Sequence, residues 1–166
     1  ANRPTSVLAE EVMWQPPTAG QQVSVSADET PAAGGGTFNI EVNRCTREVE
    51  ANGTPATANA LVCGVEGTIS PANEADFFRL AGQPAAGSRV FAIADGVASG
   101  TSTDYIMRVT TTTDTLEFDD DNNDVPFASL SPSVSGTPLT GVTSFIRMSP
   151  FSTTAQFEPY RLYTAV

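Results

Sequence analysis

Apolar and polar residues alternate along Gln22 to Ala27 (Gln-Val-Ser-Val-Ser-Ala), Thr37 to Val42 (Thr-Phe-Asn-Ile-Glu-Val) and Arg89 to Ala94 (Arg-Val-Phe-Ala-Ile-Ala). A period of two sends successive side chains to opposite faces of an extended chain, so each stretch predicts a half-buried strand. Ala9 to Trp14, Val65 to Ile69, Phe77 to Leu80, Tyr105 to Thr110, Thr115 to Phe118, Phe145 to Met148 and Tyr160 to Thr164 are further candidates, separated by Gly, Pro, Asn or Asp clusters. About ten short strands at this spacing predict an all-β chain, an antiparallel β-sandwich of jelly-roll-like form with an extra amino-terminal β segment. Helical leaning is confined to the Ala-rich stretch Pro55 to Leu61, which is too short to hold a helix and predicts one turn at most.

Two breaks punctuate the pattern. Thr30 to Gly36 (Thr-Pro-Ala-Ala-Gly-Gly-Gly) reads as a flexible hairpin-type loop, and Cys45 to Pro55 is polar, acidic and ends in Asn-Gly-Thr-Pro. The second break divides the chain into an amino-terminal β segment or arm, residues 1–46, and a sandwich domain, residues 47–166. Three strands are too few to close a two-sheet core, so the arm is expected to lean on the following domain or on another molecule.

Composition narrows the chemistry. The chain has 166 residues, 40% of them hydrophobic and 16% charged, enough for a real core. With 13 Gly, 12 Pro, 21 Thr and 14 Ser it favours turns and strands over helix. Nineteen acidic residues against eight basic ones leave a formal charge of −11, which repels nucleic acid. All eight basic residues are Arg; the absence of Lys and His removes the commonest general base, a common metal ligand and the Schiff-base nucleophile. No apolar run approaches the roughly 20 residues of a membrane span. The sequence begins at Ala1 without a charged and apolar leader, as in a mature or excised product, which is compatible with an extracellular location. The two cysteines, Cys45 and Cys63, are expected to pair as a disulfide in an exported chain; the alternative is two buried free thiols.

From Glu48 onward a series of short motifs follows in order: Glu48-Val49-Glu50-Ala51-Asn52-Gly53-Thr54, then Thr54 to Ala58; Gly67-Thr68-Ile69; Asn73-Glu74-Ala75-Asp76-Phe77-Phe78; Gly87-Ser88-Arg89-Val90-Phe91-Ala92-Ile93; Leu116 to Asp124 with Ser129-Leu130-Ser131; and finally Gly141 to Met148 and Tyr160-Arg161-Leu162. This order resembles the bacterial pre-peptidase C-terminal domain, a β-sandwich module related to the collagen-binding domains of secreted collagenases. The resemblance covers residues 47–166. Two positions depart from it: Gly53 stands where the family usually has Asp or Asn, and Ser144-Phe145-Ile146 replaces a tyrosine-rich strand.

In the calcium-binding relatives the first and third of these segments converge on one ion. The resemblance therefore implies a calcium site built from Glu48, Glu50, Asn52, Asn73, Glu74 and Asp76. The residue chemistry is compatible, because calcium takes six to eight hard oxygen ligands and Glu48, Glu50 and Asn52 alternate onto one face of an extended segment. The opposing reading is an acidic solvated linker followed by a polar turn. The run Asp119 to Asp124 does not fit a helix-loop-helix calcium loop, since Asp124 stands where Gly is needed and Leu130 where Glu is needed; it reads as a polar hairpin loop. Asn52-Gly53-Thr54 is a glycosylation sequon but reads first as a turn, and Trp14 reads as a core or interface residue.

Without His there is neither a hydrolase triad nor a His-Glu-x-x-His zinc site, and no Gly-x-Ser-x-Gly elbow is present. The expectation is a non-catalytic, exported structural or assembly module, calcium-stabilised and able to self-associate head to tail into filaments through residues 1–46. A binding module for an extracellular polymer, collagen or polysaccharide, is the second reading, and an exposed aromatic strip would favour it. An enzyme would need a pocket gathering carboxylates of shifted pKa.

Overall fold

The computed structural model describes residues 46–62, 64–96, 104–120, 131–151 and 159–166, with the single positions 22 and 24. The chain divides into two units, Ala1–Val42 and Asn43–Val166, and all the strands below belong to the second. Trp14, Cys45, Cys63 and the strands expected over Ala9 to Trp14 and Thr37 to Val42 lie outside the described residues, as does most of Gln22 to Ala27.

Ten strands run through the described residues: β1 (Thr46–Arg47), β2 (Asn59–Leu61), β3 (Gly64–Gly67), β4 (Asp76–Leu80), β5 (Arg89–Gly96), β6 (Tyr105–Thr110), β7 (Thr115–Asp119), β8 (Ser133–Pro138), β9 (Phe145–Pro150) and β10 (Tyr160–Ala165). Alternation in sequence becomes alternation in burial. Val90, Ala92 and Ala94 of β5, Tyr105, Met107 and Val109 of β6, and Tyr160, Leu162 and Thr164 of β10 are buried, while the residues between them are half-buried.

The strands form two five-stranded sheets, β1-β3-β10-β5-β8 and β2-β4-β9-β6-β7. Their ladders expose one underlying plan. β3 pairs with β10, β4 with β9, β5 with β8 and β6 with β7, each antiparallel. The second half of the domain retraces the first as a long hairpin, and its successive rungs fall in alternate sheets. β10 against β5 and β9 against β6 complete the roll. This is the expected jelly-roll arrangement. The tip of the hairpin is the turn Thr111–Asp114, where Thr111 N–H donates to the Asp114 carbonyl (2.8 Å) and the Thr111 hydroxyl accepts from Asp114 N–H (3.0 Å).

Two pairs run parallel, β1 with β3 and β2 with β4, each at a sheet edge. The chain enters by crossing from one sheet to the other, β1 to β2 to β3 to β4, so strands sharing a sheet are two crossings apart and point the same way. Between the sheets, Leu61, Phe78, Leu80, Val90, Met107, Val109, Ile146, Met148 and Leu162 belong to one core.

Three strands have no counterpart in the sequence pattern. β8 has few large apolar side chains and is bent at Gly136 (φ 91°), where an added Cβ would stand 3.2 Å from the Phe91 ring. β1 is only two residues long. β2 replaces the end of the stretch with helical leaning: a single turn does form, with Thr57 N–H donating to the Thr54 carbonyl (3.1 Å), but the chain then extends and buries Leu61 in the core. No helix among the described residues is long and apolar enough to cross a membrane.

Candidate metal centre

One end of the sandwich gathers acidic residues from both sheets. The segment following β1 carries Glu48, Glu50 and Asn52 and is pinned on three sides. Glu48 N–H donates to the Glu66 carbonyl of β3 (3.0 Å), and the Asn52 carbonyl accepts from Phe77 N–H of β4 (3.0 Å). Between them the Asn59 side chain of β2 acts as a strand partner for Val49, accepting from its N–H (2.6 Å) and donating to its carbonyl (3.0 Å). Asn59 is a positioning residue that the sequence does not reveal, because its isolated Asn-Ala-Leu context carries no motif.

Alternation and pinning together bring carboxylate oxygens of Glu48, Glu50 and Asp76 within 4.8 Å of one another. Asp76, the first residue of β4, and Asn52 are fully buried. Asp76 Oδ2 accepts from the hydroxyl of Tyr160, the first residue of β10, at 2.6 Å. Glu48 Oε1 accepts from the backbone N–H and the hydroxyl of Thr68, leaving Oε2 for the cluster. Next to Glu48 Oε2 lies Gly67, where an added Cβ would come within 2.7 Å of that oxygen and of the Tyr160 ring. Only glycine lets β3 end against this group.

Asn52 sits among the acids. As placed, its Nδ2 donates to Glu48 Oε2 (3.4 Å), and its Oδ1 faces Asp76 Oδ1 and Glu50 Oε2. Turned over, Nδ2 donates to those two oxygens at 3.2 and 3.3 Å. The same position, occupied by Oδ1, puts that oxygen as far from each of the two carboxylate oxygens as two ligands of one cation stand apart. Oxygens at right angles about an ion held at roughly 2.35 Å stand about 3.3 Å apart.

The electrostatics are one-sided. Burial, with Glu48, Glu50 and Glu74 nearby, pushes the Asp76 carboxyl up to about 8, against the opposing hydrogen bond from Tyr160. Burial also raises the Glu48 carboxyl, as does Glu50, while its Thr68 hydrogen bonds pull the other way. Burial and Glu50 raise Glu74, and burial together with Asp76 raises the Tyr160 hydroxyl well above the usual tyrosine range. The described partners of this cluster are carboxylates, the Asn52 amide, hydroxyls and backbone N–H groups; no Arg of the described residues pairs with it.

Glu74 and Asn73 differ in placement. Glu74 borders the cluster: its Oε1 would be 2.7 Å from a Cβ at Gly53, and its Oε2 is buried without a hydrogen-bond partner. Glu74 thus fills the space that a side chain at position 53 would occupy, which accounts for the glycine there. Asn73 is exposed at φ 68°, a left-handed conformation Asn tolerates, and shapes the turn that leads to Asp76.

Other residues named from the sequence fall elsewhere. Asp119 Oδ2 accepts from Ser133 N–H (2.7 Å), tying β7 to β8, and residues 121–124 lie outside the described residues. The buried Asn52 side chain leaves no room for a glycan, in keeping with the turn reading of the sequon. Tyr105 and Tyr160 are buried and pack edge to face at 5.3 Å, so no exposed tyrosine strip forms from them.

The chain is similar to the pre-peptidase C-terminal domain of a collagenase from Bacillus anthracis, with 8% identity and a TM-score of 0.47, covering 76% of this chain and 100% of that one. No family model matches the chain, and no curated protein matches it.

Proposed function

We propose that the protein is a non-catalytic, exported β-sandwich module with a structural role, and that a calcium ion bound by Glu48, Glu50, Asn52 and Asp76, with Glu74 beside them, locks the incoming chain onto both sheets. The observation that carries this reading is the convergence of three carboxylates within 4.8 Å around the buried Asn52 and Asp76. Hard oxygen donors of this kind, without His or Cys, suit calcium rather than zinc or copper. Direct titration tests the reading. Calcium is expected to bind the chain with one site and Asp76→Asn to abolish it; heat of binding indistinguishable from buffer for the wild-type chain would overturn it.

Two further features belong to this reading. Cys45 directly precedes β1 and Cys63 directly precedes β3, and those strands pair with Thr46 opposite Val65. We propose that these two cysteines pair, as expected of the two cysteines of an exported chain. A disulfide closing this loop is expected to contribute on the order of 3 kcal/mol. Mass spectrometry of protein from an oxidising source should find the cross-linked peptide; two free thiols would refute it. Head-to-tail assembly through residues 1–46 is the second feature, drawing on the edge strands β8 and β7 as acceptors. The full chain is expected to sediment as polymer and residues 45–166 as monomer, and a full chain that stays monomeric at every concentration excludes assembly.

A further inference from the structure

On the side of β4-β9-β6-β7 away from the core, four cross-strand neighbours form one row. Phe77 of β4 lies opposite Arg147 of β9, Arg147 opposite Arg108 of β6, and Arg108 opposite Phe118 of β7. With strands about 4.8 Å apart the row is roughly 14 Å long. Each guanidinium stacks on the outer ring next to it: Arg147 lies 5.7 Å from the Phe77 centroid and Arg108 5.8 Å from that of Phe118. The rings therefore hold two like charges side by side, an arrangement that is unfavourable on a sheet unless an anion joins it. The other sheet shows the usual solution, with Glu66 between Arg47 (3.1 Å) and Arg161 (3.6 Å). Here no carboxylate of the described residues plays that part, and the Arg147 Nε–H is buried without a partner. Arg79 stands exposed on the same face, so three of the eight arginines of a chain of charge −11 share it.

We propose that Arg108 and Arg147 bind the carboxylate or sulfate groups of an acidic polysaccharide laid across this face. Charge complementarity selects an anion, and planar guanidinium groups take oxoanions through paired N–H donors. The backbone selects the polymer. β9 and β6 are interior strands with both edges paired, so a peptide gains no main-chain hydrogen bonds here, as it would at a sheet edge. A glycan needs only what the face offers, charged groups and apolar ring surface such as the exposed Phe118.

The test is fluorescence anisotropy of labelled polygalacturonate and heparin with the full chain, in calcium-free buffer at about 50 mM salt, where screening is weak. At least one glycan is expected to bind, polygalacturonate reporting a carboxylate preference and heparin a sulfate preference. The Arg108→Gln/Arg147→Gln double variant should bind roughly tenfold or more weakly. Arg47→Gln, on the opposite sheet, should stay within about twofold. The double variant should melt within a few degrees of the wild-type chain, since the lost repulsion offsets the two lost ring contacts and the Arg108 hydrogen bond to Ser149, and this shows that lost binding is not lost folding. Undiminished binding by the double variant, binding to neither glycan, or binding only to labelled polyglutamate overturns the proposal.

Discussion

Raising the pH from 5 to 8 in chelator is expected to lower the melting temperature, and calcium is expected to restore it at pH 8 while doing little at pH 5. The Asp76 carboxyl is pushed up to about 8 in the folded protein, mainly by burial, against an ordinary value of 3.8. Between those values the folded state keeps a proton that the unfolded state has released, so stability falls as pH rises through the window. The stabilisation is complete below about pH 4 and lost above about pH 8, and the raised Glu48 and Glu74 act in the same direction. The loss amounts to a few kcal/mol, at about 1.4 kcal/mol for each pH unit across the window and with water entry limiting the total. Calcium competes with the protons for the same oxygens. At roughly a hundred times its dissociation constant it adds about 2.7 kcal/mol, or about 10 °C in a domain of this size. Asp76→Asn should flatten both dependences, leaving a chelated protein at pH 8 at least as stable as the wild type. A melting temperature that does not move between pH 5 and 8, with or without calcium, would falsify the buried-acid account.

Phe78→Ala is expected to cost about 3–5 kcal/mol and to lower the melting temperature by roughly 10–15 °C. Phe78 is fully buried in β4, and its ring meets that of Tyr160 edge to face at 6.3 Å. Removing it leaves a cavity and frees the tyrosine whose hydroxyl holds Asp76, so the calcium increment should shrink as well. Phe151→Ala, at a site 59% exposed, serves as the control and should stay within about 0.5 kcal/mol. Equal losses in the two variants would mean that β4 is not the centre of this core.

Alternation proved sufficient for Arg89 to Ala94, which lies within β5 with one face in the core, because a period of two has only one way to bury its apolar set. Tyr105 to Thr110 and Tyr160 to Thr164, set off by turn residues, also lie within strands with one face in the core. Acid-rich segments around Glu48 and Asp76 were legible too, since alternating carboxylates in an extended chain share a face wherever that chain goes. Ser133–Pro138 and Asn59–Leu61 were not legible. Their strand state comes from partners, Arg89–Gly96 for one and Asp76–Leu80 for the other, and weak local preference yields to a waiting ladder.

Chain order also hid what surrounds Asp76. Tyr160 reaches it from 84 positions away, Glu74 takes the space left by Gly53, and Asn59 clamps Val49 across ten residues. Arg108 and Arg147, 39 positions apart in sequence, become neighbours only through the register of β6 with β9. The all-β class, the strand faces and the acidic character of the candidate site could be read from the residues in order, because these depend on periodicity and charge within a few residues. The roll of the hairpin, the parallel edge pairs, the burial that raises the Asp76 carboxyl and the arginine row come from tertiary structure, because each depends on which distant strand lies alongside and on how much water that contact removes.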